Sequence, residues 1–200
     1  SVSEIHAVEV NISCPNVKKG GRLFGSDPVI TREVIHSVKS HYSRGPIIAK
    51  LPPGVSEITE IAKAAVDGGA DILSLINTMP ALAIDIRTSP PRAILGNNFG
   101  GLSGPAIKPI GLAKVCQVYQ FFLKAGINIP IIGIGGIMTA DDAIEYMAAG
   151  ASAIQIGTVM FGDERAYQKI TKGIGEYVKQ HNYTSVQDII GTLKLNSIME

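Results

Sequence analysis

The sequence predicts an α/β fold in which a parallel sheet alternates with helices. Within that class it predicts a (β/α)8 TIM barrel, with about the last five βα units present in this chain. Three observations carry this. Short apolar runs near 8–13, 47–51, 72–76, 130–134 and 152–156 are separated by stretches of helical periodicity. The last two runs end in glycine turns, GIGG (Gly133 to Gly136) and IGT (Ile156 to Thr158), each leading toward a helix, where such barrels commonly hold a phosphate. Composition agrees: 46% of the 200 residues are hydrophobic and 18% are charged, which suits strands buried on both faces. A full barrel takes about 250 residues. The visible strands would then be the fourth to the eighth of one 1–200 domain, with roughly three missing from its amino end. The competing arrangement is a self-contained, open five-stranded sheet.

Each element has a local reason. Val8, Val10 and Ile12 alternate with Glu9, Asn11 and Ser13, and Pro15 ends this strand. Residues 17–25 form a loop rich in Gly and Lys. Asp27 then predicts an N-cap with Pro28 at the first helical position, and Ile30, Val34, Ile35 and Val38 line one face toward His41. Ile47 to Leu51 is a strand stopped by Pro52 and Pro53. A helix opened near Ser56 runs through Ile58, Ile61, Ala62 and Ala65 to Gly68 and Gly69. Ile72 to Ile76 is the third strand, running into Asn77 and Thr78. From Met79 to Gly104 the rhythm breaks, and a connection this long is usually functional. Alternation at 83–86 and 93–95 suggests a small hairpin over the site. A helix from about Pro109 to Ala125, strand Pro130 to Ile134, helix Ala140 to Ala149 and strand Ser152 to Ile156 follow. Helices at about 164–180 and 185–193 close the chain.

Several function classes are excluded. The net charge is +1, and Lys18, Lys19 and Arg22 sit among glycines as a solvated loop, so nucleic acid is not expected. No apolar run approaches a membrane span and no signal peptide is visible. Two cysteines, Cys14 and Cys116, are too few for a disulfide framework, and a reducing, cytoplasmic setting is expected. The four histidines show no metal spacing, and no metal is expected.

The chemistry gathers where strands end. Cys14 stands between Asn11 and Asn16 at the carboxyl end of the first strand, the edge where parallel α/β folds bind ligands. A thiol exchanges a proton near neutral pH, and two amides can hold a planar polar substrate. The plainer alternative is a buried cysteine beside a tight turn. Lys50 ends an apolar strand, where an ammonium without a partner is costly, and it suits an anionic or electron-accepting ring. Its alternative is a stem lying along the barrel wall with its head in solvent. Asn77 and Thr78 add an amide and a hydroxyl to the same rim. Ser103 and Gly104 precede a helix and offer N–H groups to an anion. Cys116, among Leu112, Val115 and Tyr119, reads as a core residue, and Asp141 and Asp142 as serving the helix they open.

The motifs NISCPN, IIAKLPP, INT, GGLSGPAIKPI, IPIIGIGGI and IQIGT occur in the order seen in the dihydroorotate dehydrogenases, and the chain resembles their class 1B catalytic subunit over essentially its whole length. By this resemblance, the family's amino-terminal third is expected to lie outside these 200 residues. The resemblance implies an FMN-dependent oxidation of dihydroorotate to orotate in pyrimidine biosynthesis, with Cys14 as the base at C5 and hydride passing from C6 to the flavin N5. It implies substrate contacts from Asn11, Asn16, Asn77 and Thr78. It implies flavin contacts from Asn11, Lys50 and Ile76, and phosphate contacts from Gly104, Gly135, Gly136, Gly157 and Thr158. It further implies a homodimer of the catalytic subunit within a heterotetramer, whose iron–sulfur and FAD subunit carries the 2Fe–2S cluster and FAD and passes electrons to NAD+. The cysteine argues against the membrane-associated class 2 enzymes, which use serine, and the loop KKGGRLFGSDP favours class 1B over 1A. Two alternatives stand: a flavin domain like that of dihydropyrimidine dehydrogenase, whose relatives have His where this chain has Asn16, and a catalytically silent barrel fragment or subunit.

Overall fold

The computed structural model describes residues 5–13 and 24–196. Among them, five parallel strands form one sheet: β1 (Val8–Asn11), β2 (Ile47–Leu51), β3 (Ile72–Leu75), then β8 (Ile131–Ile134) and β9 (Ala153–Gln155), in that spatial order. Between β3 and β8 lie two antiparallel pairs. Strand β4 (Met79–Leu82) pairs with β7 (Phe99–Leu102), and β5 (Ile84–Asp85) pairs with β6 (Arg92–Ala93).

Alternation assigns the two faces of the main sheet. Ile47, Ala49, Leu51, Leu73, Leu75 and Ile131 point one way and are at most 1% exposed. They pack under helices α1 (Pro28–His41), α2 (Ile58–Asp67), α3 (Lys108–Lys124) and α4 (Ala140–Ala148), which follow one another side by side. Helix α5 (Ala166–Gln180) lies on α4 through Ile170 and Ile174. Register sets Glu9, Asn11, Lys50, Ser74 and Gln155 on the other face. Each strand neighbours the next strand of the main sheet in chain order. A doubly wound sheet would instead reverse its strand order at a switch point.

The sheet is also strongly curved. Laid flat, β1 and β9 would stand about 19 Å apart at the usual strand spacing. Yet the Gln155 amide donates to the Glu9 carboxylate at 3.3 Å, so the polar face curls inward until side chains of its outer strands meet.

Local signals settle most element boundaries. Asp27 caps α1, accepting from the N–H groups of Val29 and Ile30, with Pro28 in the first turn. Thr139 and Asp142 form a capping box at α4. Other boundaries move. Helix α2, expected to open near Ser56, has Glu57 at its N-cap, which makes no side-chain cap bond. The third and fifth strands of the sheet end at Leu75 and Gln155, one residue short of expectation. The hairpin expected near 83–95 is present as β5–β6, and β4–β7 forms a second pair beside it.

The expected helix at 185–193 is a single 3-10 turn, Val186–Ile189, despite a proper capping box from Ser185 and Asp188. Ile190 turns extended and Gly191 takes φ +71°. The N–H groups of Gly191 and Leu193 then donate to Met147 and Ala148, so bonds to the end of α4 replace those of a helix. No helix among the described residues is long and apolar enough to cross a membrane.

Candidate active site

The carboxyl end of the sheet carries a cleft of about 250 Å³, and its two sides are built differently. On the β1–β3 side, functional groups are side chains. The Asn77 amide donates to Ser13 Oγ at 2.7 Å, and the Ser13 hydroxyl donates to Asn11 Oδ1 at 2.7 Å. The Ser13 N–H donates to the same oxygen, and the Thr78 N–H donates to Asn77 Oδ1. Both amides are therefore fixed in orientation with their carbonyl oxygens engaged; the Asn77 nitrogen also donates to Ser13 O at 3.5 Å, and the Asn11 N–H donors are left over among the described residues. Main-chain bonds hold the scaffold: Ile76 N–H to Ile134 O, Asn77 N–H to Leu51 O, and Gly25 N–H to Ile12 O, which pins the turn after β1.

On the β8–β9 side, functional groups are backbone. Gly104, Gly135, Gly136, Gly157 and Thr158 line the cleft. The N–H groups of the four glycines donate to no other group among the described residues. Gly136 has φ +70°, and a Cβ there would lie 2.7 Å from Gly104 O and 2.9 Å from Lys108 N. Only glycine lets these segments approach so closely. The Thr158 hydroxyl donates to Ser103 Oγ at 2.8 Å, tying the turn after β9 to the segment after β7.

This cradle is braced from behind. The buried Tyr146 hydroxyl donates to Gly135 O at 2.8 Å, and its ring and hydroxyl occupy the space a side chain on Gly111 would need. Burial, with the nearby Asp142 and Glu145 charges, pushes the phenol well above its ordinary value, so it stays a donor. Lys108 is paired with Asp142 (2.6 Å) and Glu145 (2.7 Å), which raise its pKa. Burial opposes ionisation of Asp142. Hydrogen bonds from Lys108, from the Met138 N–H and from Thr139 outweigh it and hold the carboxyl below its ordinary value.

Lys50 and Ile76 line the cleft between the two sides, and Ile107, Ile134 and Ile137 supply apolar wall. Ile76 is 1% exposed. The structure thus brings Lys50, Ile76, Asn77, Thr78, Gly104, Gly135, Gly136, Gly157 and Thr158 to one cleft, with Asn11 joined through Ser13. Cys14 and Asn16 lie outside the described residues. Cys116 is half-buried in α3 and burial pushes its thiol up, as a packing residue requires. Among the described residues no group of three His, Cys, Asp or Glu is placed to hold a metal.

Some of the site was missed from sequence. Ser13 connects the two asparagines, and Lys50, Ser74 and Gln155 gather around Glu9. For Glu9, Ser74 and Gln155 the signal was available: each is a polar residue of a strand, on the same alternation face as Lys50.

Fold and rim together define an α/β protein of the (β/α)8 class, here with five βα units and a rim suited to a phosphorylated ligand. A family model described as "Dihydroorotate dehydrogenase" matches residues 3–178, and the chain belongs to that family. It is 49% identical over 191 residues to the "Dihydroorotate dehydrogenase B (NAD(+)), catalytic subunit" of Geobacter sp. (strain M21), covering 96% of this chain and 60% of that protein. It is 50% identical over 190 residues to the protein of the same description from Geotalea uraniireducens (strain Rf4), covering 95% and 60%. Among solved structures, dihydroorotate dehydrogenase from Eimeria tenella in complex with ferulenol matches with TM-score 0.74 and 26% identity, over 93% of this chain and 53% of that one. The chain spans about 60% of the length of the curated relatives it matches.

Proposed function

We propose that this chain is the catalytic, FMN-binding barrel domain of an NAD+-linked dihydroorotate dehydrogenase of class 1B, oxidising dihydroorotate to orotate for pyrimidine (UMP) synthesis in the cytoplasm. The observation that carries the reading is a cleft with a glycine cradle at one side, fixed amides at the other and Lys50 between, in a chain of this family. These residues fit FMN. The cradle of Gly104, Gly135, Gly136 and Gly157 offers N–H groups with no protein partner among the described residues, and a Cβ at Gly136 would force apart the Gly104 and Lys108 segments that form it. The isoleucine wall at Ile76, Ile107, Ile134 and Ile137 suits a flat ring.

In this reading the cradle and Thr158 hold the ribityl phosphate, while Asn11, Lys50 and Ile76 meet the ring. Bound there, FMN supplies the acceptor for the hydride leaving C6 of dihydroorotate. Cys14 removes the proton at C5 as thiolate. Asn11, Asn16, Asn77 and Thr78 offer polar groups to the substrate's polar edge, and the preset amide orientations of Asn11 and Asn77 mean little reorganisation on binding. A free thiol has a pKa near about 8.5, so the rate should climb toward alkaline pH unless the site lowers that value. The expected partner is an iron–sulfur and FAD subunit that passes electrons to NAD+, in a heterotetramer built on a homodimer of the catalytic subunit.

The test is an anaerobic visible spectrum of the purified protein before and after dihydroorotate. Flavin absorbance that bleaches, and bleaches at least about a hundredfold more slowly in Cys14→Ala, is the expected result for loss of a general base. A flavin spectrum indifferent to dihydroorotate but responsive to uracil-type pyrimidines would move the substrate to that class.

A further inference from the structure

The carboxylate of Glu9 is the most connected side chain on the polar face of the sheet. It comes from β1 and accepts from three other strands: Lys50 Nζ of β2 at 3.1 Å, Ser74 Oγ of β3 at 3.0 Å and Gln155 Nε2 of β9 at 3.3 Å. Its two oxygens divide the work. One takes the Lys50 ammonium, and the other is anchored by Ser74, which is fully buried, and by Gln155. Only 28% of the Glu9 side chain and 20% of the Lys50 side chain remain exposed, so this pair is far less screened than a surface ion pair.

A lysine stem has four rotatable bonds and is costly to immobilise. Here the anchored carboxylate immobilises it. Lys50 spends one N–H on Glu9 and keeps two for a ligand in the cleft it lines. Glu9 sits two residues before the rim residue Asn11, below the cleft, so it holds the ammonium from beneath.

We propose that Glu9 is a positioning residue for Lys50: anchored by Ser74 and Gln155, its carboxylate fixes the ammonium beside the bound ring and balances its charge. This rests on the reading that Lys50 meets a flavin. The residue then sets how strongly the site favours reduced flavin, which carries more negative charge than oxidised flavin.

The test loads the protein with FMN and measures the midpoint potential of the bound flavin, with the melting temperature as a check on folding. Glu9→Gln keeps the shape but removes the balancing charge. The expected result is an upward shift of about 30 mV, a tenfold gain of reduced over oxidised flavin for a two-electron couple. In a Lys50→Met background the same substitution should move the potential by less than about a third of that, because the two residues act as one unit. If Glu9→Gln does not fold, Ser74→Ala, which frees one anchor and keeps both charges, should lower the potential by a smaller amount, because the ammonium is then held less firmly beside the ring. Equal shifts with and without Lys50, or no shift at all, would overturn the proposal while leaving a flavin protein in place. A protein that binds no FMN would overturn the proposed function and this proposal with it.

Discussion

The two sides of the cleft do comparable jobs with different parts. The β8–β9 side is backbone: glycines at positive φ, close-packed segments and N–H groups unpaired among the described residues. The β1–β3 side is side chain: Asn77, Ser13 and Asn11 in a hydrogen-bonded row. A backbone cradle cannot change its donors without moving the chain, and it suits a group whose geometry never varies, such as a phosphate. An amide row can be retuned by single substitutions and suits a substrate whose donors and acceptors must be read one by one. The first side should therefore be brittle and the second graded.

The largest effect should come from breaking the cradle. In Gly136→Ala the added Cβ meets Gly104 O at 2.7 Å and Lys108 N at 2.9 Å, both backbone atoms that cannot swing aside. FMN affinity measured by titration of apo-protein should fall about a hundredfold, equivalent to about 3 kcal/mol. Unchanged affinity would remove the cradle from the cofactor site.

Removing one amide should cost less and cost something else. Asn77→Ala deletes the donor to Ser13 and one contact to the proposed substrate, so KM for dihydroorotate should rise about tenfold, near one hydrogen bond's worth. FMN affinity should stay within about twofold. A parallel loss of both would erase the division between the two sides.

The smallest effect concerns the brace behind the cradle. Asp142 is held below its ordinary pKa against the cost of burial, chiefly by its hydrogen bond from Lys108. Its stabilising contribution is therefore complete above the unfolded value of 3.8 and is lost as pH falls through the lower folded value. Asp142→Asn should cost about 1 kcal/mol at neutral pH by chemical denaturation. The difference from the unsubstituted protein should close as pH drops below that window. A gap that persists in acid would mean that shape, not charge, braces the turn.

Much of this was legible from sequence because it is local. Asp27 before Pro28, prolines after the first two strands, and glycine turns after the last two strands are signals contained within a few residues. Lys50 stood out for the same reason, a lone charge in IIAKL. The β4–β7 pair was not legible. Its partners stand 23 residues apart at the open end, Met79 against Leu102, and Pro80, Gly100 and Gly101 disfavour strands on propensity. The helix expected at 185–193 failed although Ser185 and Asp188 form a capping box at its start. Contacts with Met147 and Ala148, remote in sequence, captured the N–H groups that a helix would have used.

The sequence by itself determined the alternation of strands and helices, the face that each strand buries, and the residues that stand at strand ends. Period and turn chemistry are properties of neighbouring residues. Tertiary structure alone decided which of those ends share a cleft and what holds Lys50. The ties among Glu9, Lys50, Ser74 and Gln155 depend on register between β1, β2 and β3 and on a curvature that brings β1 toward β9. Register and curvature are set by the packing of the whole sheet against its helices, and no short stretch of chain encodes them.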